Sequence, residues 1–231
     1  MKILLIAGHG DGDPGAVKLG YKEADLTREL VELIKEELSG YAEVDIADTS
    51  KNWYRHICVN GHKADFTKYY YVLEVHFNSA ARDEKGNKKT TGTEIYVTHG
   101  EKIVSAEENM LKSMKTLGFR NRGVKRENFS LITYIKKQGV SSALLEVCFL
   151  DDKDDVDLYM SNKKEVATAI AEGIAKGYKI ERKPLIDACL LLAKEGIINS
   201  PGYWATGSGY SDSNVVSLIK KFATYLKGER K

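Results

Sequence analysis

Two histidines and two glutamates stand where open α/β sheets do their chemistry. His9 follows a short apolar run, Ile3 to Ala7; His76 closes a second, Tyr70 to His76; Glu146 lies in a third, Ser142 to Val147; and Glu23 opens an amphipathic segment. Two imidazoles and a carboxylate converging at the C-terminal ends of strands make a three-ligand set for a catalytic zinc, with a fourth position left for water. The second carboxylate is then free to move protons. Taken singly, each residue also has an ordinary reading, since a histidine at a strand end is often simply hydrogen-bonded and Glu23 suits the dipole of a first helical turn. Glu146 resists that reading. Among Leu144, Leu145, Val147 and Phe149, a carboxylate is buried and needs a positive or hydrogen-bonding partner.

Other motifs compete less well. Gly10, Gly12 and Gly15 satisfy G-x-G-x-x-G directly after the first apolar run, but Asp11 and Asp13 would face a pyrophosphate with like charge and the helical pattern starts several residues later. A Walker A loop fails because Ala16 and Val17 stand where Lys and Ser/Thr are needed. His56 and His62 lie on an expected helix without sharing a face, and His99 sits at a strand exit, so surface or capping roles are expected. Asp151, Asp152, Asp154, Asp155 and Asp157 lack the glycine and closing glutamate of an EF-hand and read as a solvated helix N-terminus. Tyr69 to Tyr71 reads as strand packing. Cys58, Cys148 and Cys189 are odd in number and far apart, which excludes a disulfide framework or a Cys-rich zinc site; buried thiols are expected.

The elements that must position these residues alternate between strand and helix. Strands are expected at Ile3 to Ala7, Glu43 to Asp48, Tyr70 to His76, Thr93 to Thr98 and Ser142 to Val147. Helices are expected at Tyr21 to Leu38, at Arg55 to Asp65, over a segment carrying Ile103, Met110, Leu111, Met114 and Leu117, and around Val166 to Tyr178, with a long loop at Gly118 to Ser130. That order predicts an α/β fold, a mostly parallel twisted sheet flanked by helices on both faces. A charged cluster followed by Pro184 marks a boundary. Beyond it, Leu185 to Lys194 and Val215 to Leu226 read as two helices joined by a link containing Tyr203, Trp204 and Tyr210, a small all-α domain over 184–231 for wall contact or self-association.

Composition closes off other classes. With 231 residues, 42% hydrophobic and 29% charged, the chain is neither disordered nor collagen-like. Of the 35 Lys/Arg and 33 Asp/Glu, six and four follow Pro184, so the first domain is balanced and the net +2 sits in the tail; no nucleic-acid groove is expected. No stretch reaches membrane-span length, and Lys2 with five apolar residues is not a signal peptide, so a soluble protein made in the cytosol is expected.

The motifs carry more in order than singly. His9-Gly-Asp-Gly-Asp-Pro-Gly-Ala16 with Gly20-Tyr-Lys-Glu23, then Glu74-Val-His76-Phe-Asn78, Thr91-Gly-Thr-Glu-Ile-Tyr-Val97, Asn121-Arg-Gly-Val-Lys125 and Leu144-Leu-Glu146-Val-Cys-Phe-Leu150, follow one another between about residues 2 and 180. This series resembles the zinc-dependent N-acetylmuramoyl-L-alanine amidases of the Amidase_3 type. The resemblance implies that His9, Glu23 and His76 hold Zn²⁺, that Glu146 is the catalytic carboxylate, and that residues 1–180 are the catalytic domain. It also implies that the substrate is bacterial peptidoglycan, cut between N-acetylmuramic acid and L-alanine. Glu74 departs from the small or hydroxyl residue more usual two before that histidine; it shares a strand face with His76 and is expected either to pair with a basic or amide neighbour or to fix the imidazole's tautomer. The alternatives are a zinc peptidase acting within the stem peptide and a non-catalytic wall-binding protein. The combination resembles a phage endolysin released through holin pores, or an autolysin acting on lysis.

Overall fold

The computed structural model describes residues 1–182, 184–205 and 212–226. In chain order the strands are β1 (Lys2–Ala7), β2 (Val17–Lys18), β3 (Tyr21–Lys22), β4 (Glu43–Ile46), β5 (Tyr71–Asn78), β6 (Thr93–Val97), β7 (Asn121–Arg126) and β8 (Ser141–Phe149). The helices are α1 (Glu23–Leu38), α2 (Ser105–Thr116), α3 (Ser130–Lys136), α4 (Lys153–Ser161), α5 (Lys163–Tyr178), α6 (Pro184–Lys194), α7 (Pro201–Ala205) and α8 (Asp212–Leu226), with a π-helical turn at Arg55–Val59.

The chain divides into two compact units, Met1–Leu38 with Ala42–Ile180, and Ser39–Tyr41 with Glu181–Lys231. In the first, six strands form one sheet in the order β4-β1-β5-β8-β6-β7. The first four are mutually parallel, whereas β6 runs antiparallel to β8 and parallel to β7. Ile3, Leu5, Ile6, Leu73, Val75, Leu145 and Val147 are wholly buried, because strands covered on both faces must be apolar on both.

Period-two alternation sorts the two faces. On one, Tyr71 donates its hydroxyl to Glu107 of α2 and Phe77 packs edge-on against Tyr159 of α4. Here α1 buries a stripe of Leu26, Leu30, Ile34 and Leu38, and α5 one of Val166, Ile170 and Ile174. Gly173 and Gly177 let α2 and α5 meet at backbone contact: a Cβ on Gly173 would lie 2.5 Å from the Met110 backbone. On the other face, Leu4, Ile6 and Val72 pack with Ile57, Phe66, Leu131 and Ile135. This is the face of Glu74, His76 and Glu146, since Glu74 pairs with Leu144 and His76 with Glu146 in the β5–β8 register.

Several elements depart from expectation. The expected loop at Gly118 to Ser130 contains β7, whose polar Asn121–Arg126 sequence lacks alternation because it is a half-exposed edge strand. The expected helix from Arg55 to Asp65 is only the π turn, which ends before Asn60 and Gly61, the glycine at φ +71°. His56 and His62 therefore stack at 4.3 Å between ring centroids, where an α-helix would have parted them. The aspartates after β8 are not a solvated cluster. Asp151, Asp152 and Asp155 are buried: Asp152 caps α4, Asp151 accepts from the Ala81 and Arg82 amides, and Asp155 from those of Gly92 and Phe149.

The second unit buries Cys189, Ile197 and Ile198 against Leu192, Ala193, Trp204, Leu218 and Tyr225. Trp204 thus serves this small core while Tyr203 is exposed; Tyr210 lies outside the described residues. Cys148 and Cys189 are buried and Cys58 half-buried, all as free thiols. Among the described residues, no helix is long and apolar enough to cross a membrane.

Candidate metal centre

The ligand-bearing loop after β1 is held in an unusual backbone. His9 has φ +61° and Asp11 φ +51°, conformations that cost a non-glycine residue about 1–3 kcal/mol and persist only where surroundings impose them. Arg28 on α1 imposes this one: its guanidinium donates to the carbonyls of Gly8 and His9 and to that of Thr49, and Thr27 Oγ1 also donates to Gly8. Gly10 is required here because a Cβ would lie 1.8 Å from Arg28 Nη2.

Glu23 opens α1 beneath that loop. Its backbone N–H donates to Ala16 O, and its Oε2 accepts from the Ala16 N–H at 3.0 Å. Oε1 accepts from the Phe77 N–H at 2.9 Å, tying the carboxylate to β5. The carboxylate lies between two imidazoles, with His9 Nε2 3.0 Å from Oε2 and His76 Nδ1 2.9 Å from Oε1. The ring centroids are 4.9 Å apart, and one donor atom from each of His9, Glu23 and His76 falls within 4.8 Å of the others. The three residues singled out for a metal are therefore together.

Each imidazole turns its remaining nitrogen to a second carboxylate. His9 Nδ1 is 3.1 Å from Asp13 Oδ2, which also accepts from Asn52 Nδ2, while Asp13 Oδ1 accepts from the Gly15 N–H. His76 Nε2 is 3.0 Å from Glu74 Oε1. Carboxylates on the outer nitrogens fix which nitrogen faces inward, as metal-ligating histidines require. Glu74 therefore pairs with an imidazole instead of with a basic or amide neighbour. Asp13 and Asn52 were not legible as site residues. The only signal for Asp13 was its position four residues after His9, inside a glycine loop.

Glu146 sits beside His76 across the β5–β8 register, with its Oε2 buried and without a hydrogen-bond partner. Burial, assisted by Glu23, Glu94 and Glu74 and opposed by His76, pushes its carboxyl up to about 7. Burial pushes Glu23 the same way, but the two imidazoles outweigh it and hold that carboxyl far below the usual range. His76 is raised well above the ordinary imidazole value, because Glu23 and Glu74 overcome the opposing effect of burial, and His9 is raised because Glu23 and Asp13 outweigh burial and the neighbouring His76.

The donor set fits zinc. Two imidazoles and one carboxylate are the right chemistry for a three-ligand catalytic site. Three glutamates on and beside two imidazoles, with buried oxygens of Glu74 and Glu146 unpartnered, leave an excess of negative charge that a divalent cation would balance. A cleft of about 380 Å³ adjoins the centre, lined by His9, Asp13, Asn52, Glu74 and His76 and walled by Trp53, Tyr54 and Phe129. Trp53 and Phe129 were not singled out from sequence. A second acidic group, Asp83, Asp152 and Asp154, is committed to the fold: Asp152 takes Thr91, and Asp154 takes the amides of Asn87, Lys88 and Lys89.

The sequence profile described as N-acetylmuramoyl-L-alanine amidase matches residues 3–176. The endolysin of Bacillus phage SPP1 is 27% identical over 186 residues, spanning 78% of this chain and 67% of the endolysin. The amidase LytC of Bacillus subtilis is 25% identical over 179 residues, 77% of this chain and 35% of LytC. Among solved structures, the catalytic domain of CwlV, an amidase from Bacillus (Paenibacillus) polymyxa var. colistinus, superposes with TM-score 0.60 at 24% identity, covering 78% of this chain and 99% of that domain; this likeness is one of fold.

Proposed function

The chain belongs to the N-acetylmuramoyl-L-alanine amidase family, the Amidase_3 type, and from that premise we propose that His9, Glu23 and His76 hold a zinc ion with which this peptidoglycan amidase hydrolyses its substrate. The bond cut is the amide between the lactyl group of N-acetylmuramic acid and the L-alanine of the stem peptide. One observation carries this reading: the two imidazoles and Glu23 converge with their outer nitrogens on Asp13 and Glu74, and Glu146 stands next to His76 without a partner for its own oxygen.

When bound, zinc supplies an activated water at neutral pH and polarises the scissile carbonyl. The protein residues do the rest. Glu146, held near neutrality by burial, takes a proton from the attacking water and returns it to the leaving amine of alanine, which needs a carboxyl able to do both near pH 7. Asp13 and Glu74 hold the imidazoles in one tautomer and orientation, and Arg28 locks the loop that presents His9. Trp53, Tyr54 and Phe129 give the adjoining cleft an apolar wall, which lowers the local dielectric around the reacting groups. Residues 1–180 form the catalytic domain in this reading, and the helical unit over 184–231 is an accessory for wall contact or self-association.

Mass spectrometry of digested Gram-positive cell walls tests the bond assignment. An amidase yields stem peptides beginning with a free alanine amine and glycans with unsubstituted lactyl groups. Fragments with new amines inside the stem peptide would mark a peptidase instead.

A further inference from the structure

A second polar cluster shares the sheet face of Glu146 but lies on its other side from His76. Glu94 of β6 stands opposite Glu146 in the antiparallel β6–β8 register, and its carboxylate is 2% exposed. Four donors saturate it: Asn78 Nδ2 at 2.9 Å and Tyr96 Oη at 2.8 Å on Oε1, Arg122 Nε and Lys125 Nζ each at 2.5 Å on Oε2. Neutralising one buried carboxylate takes one cation, and here there are two. Glu94 brings a guanidinium and an ammonium onto a single oxygen, overcoming their mutual repulsion, so the two cations outnumber the carboxylate that holds them, with Glu146 across the register and Asp155 near Arg122 as further carboxyl groups.

Those cations look outward. The Arg122 and Lys125 side chains are 27% and 36% exposed, above a carboxylate that is not. Their directions are fixed as well as their charge, because the Arg122 guanidinium lies over the Phe149 ring at 4.8 Å and the Lys125 ammonium over the Tyr96 ring at 5.3 Å. An anion arriving there meets preordered donors and little side-chain entropy remains to be lost.

We propose that Arg122 and Lys125, held together by Glu94, bind a carboxylate of the stem peptide, so that the peptide runs from the metal centre across Glu146 toward β7. This rests on the amidase reading of the centre. Neighbouring strands are about 4.8 Å apart, which puts Glu94 about 10 Å from the strand of His76. An extended peptide covers that distance in about three residues, which brings the free α-carboxylate of the second residue, a γ-linked glutamate, within reach of the pair. The glycan side offers no such group, since N-acetylated sugars are neutral and the lactyl carboxylate is consumed in the scissile amide.

Chemical-shift titration of the full chain with two synthetic tripeptides reads the subsite without turnover. One is L-alanyl-γ-D-glutamyl-L-lysinamide with its glutamate α-carboxylate free, the other the same peptide with that carboxylate converted to a carboxamide, so that the glutamate group is the sole carboxylate at issue. The carboxylate form should bind about ten-fold tighter, the gain expected of charge-assisted hydrogen bonds. Lys125→Gln should lose most of that ratio while Lys125→Arg keeps it, both with unchanged circular dichroism. Equal binding of the two peptides to the unmodified chain, or no binding of either, overturns the proposal, as does a ratio that survives Lys125→Gln and Arg122→Gln. Cleavage of the matching muramyl tripeptide is followed separately. Discrimination without cleavage leaves the subsite standing and removes the amidase reading, whereas cleavage without discrimination does the reverse.

Discussion

Replacing Glu74 separates a residue that tunes the metal from one that only packs beside it. Its Oε1 lies 3.0 Å from His76 Nε2, both groups are largely buried, and its other oxygen has no partner. A hydrogen bond to a charged group contributes about 1.5–3 kcal/mol and a neutral one about half that, so Glu74→Gln, which keeps an acceptor but loses the charge, should cost about 1 kcal/mol of zinc binding, or five- to ten-fold in affinity. Glu74→Ala removes the acceptor and should cost about 2 kcal/mol, roughly thirty-fold, within the 10–100-fold range for partners of ligating histidines. A further sign follows from His76. Glu74 helps keep that imidazole protonated in the metal-free protein, so its removal makes the proton easier to displace and offsets part of the loss at lower pH. Competition against a chromophoric chelator at pH 6.5 and 8.5 measures both effects, and the deficit should be larger at the higher pH. Equal zinc affinity for all three proteins at both pH values, with melting temperatures unchanged, would refute the role assigned to Glu74.

Three other outcomes are expected. Glu146→Gln should keep its zinc, measured by elemental analysis, yet lose about 10²–10⁴-fold in turnover of muramyl peptides, the usual contribution of a positioned acid–base group. Metal-free protein should be most stable near pH 4.5 in thermal melts with chelator and lose stability as pH rises above it. The lowered Glu23 contributes stability above 4.5 that is lost as pH falls, the raised His76 contributes stability below 6.5 that is lost as pH rises through its folded value, and Glu146 at about 7 penalises the fold as pH climbs from 4.5; stability that rises steadily to pH 8.5 would contradict this. Gly173→Ala should destabilise the first unit by about 1–3 kcal/mol in urea unfolding, because its methyl would meet the Met110 backbone at 2.5 Å and α2 must move away.

Legibility followed burial. β1, β5 and β8 announce themselves as unbroken apolar runs because both faces are covered, and α1 and α5 by their stripes. The edge strand β7 does not, since Asn121–Arg126 has little to bury and its Arg122 and Lys125 are turned to the buried Glu94. Of the four principal site residues, His9, His76 and Glu146 were readable because each follows, ends or interrupts an apolar run, and Glu23 because it opens the amphipathic stripe of α1. Asp13 and Asn52 were not: their role depends on a loop in left-handed backbone and on a contact 39 positions apart in sequence, neither of which periodicity encodes. Likewise the buried aspartates after β8 read as solvated, because their partners are backbone amides of the 81–92 segment, which no composition rule places there.

Chelation and reconstitution test the central claim most directly. Purified full chain should hold one zinc per molecule, lose both the ion and its release of alanine amines from cell walls on treatment with a strong chelator, and regain both when one equivalent of zinc is returned. His9→Ala, Glu23→Gln and His76→Ala should each fail to regain them. Full amine release from chelator-treated, metal-free protein, or zinc retained at one equivalent by His76→Ala, would contradict the account.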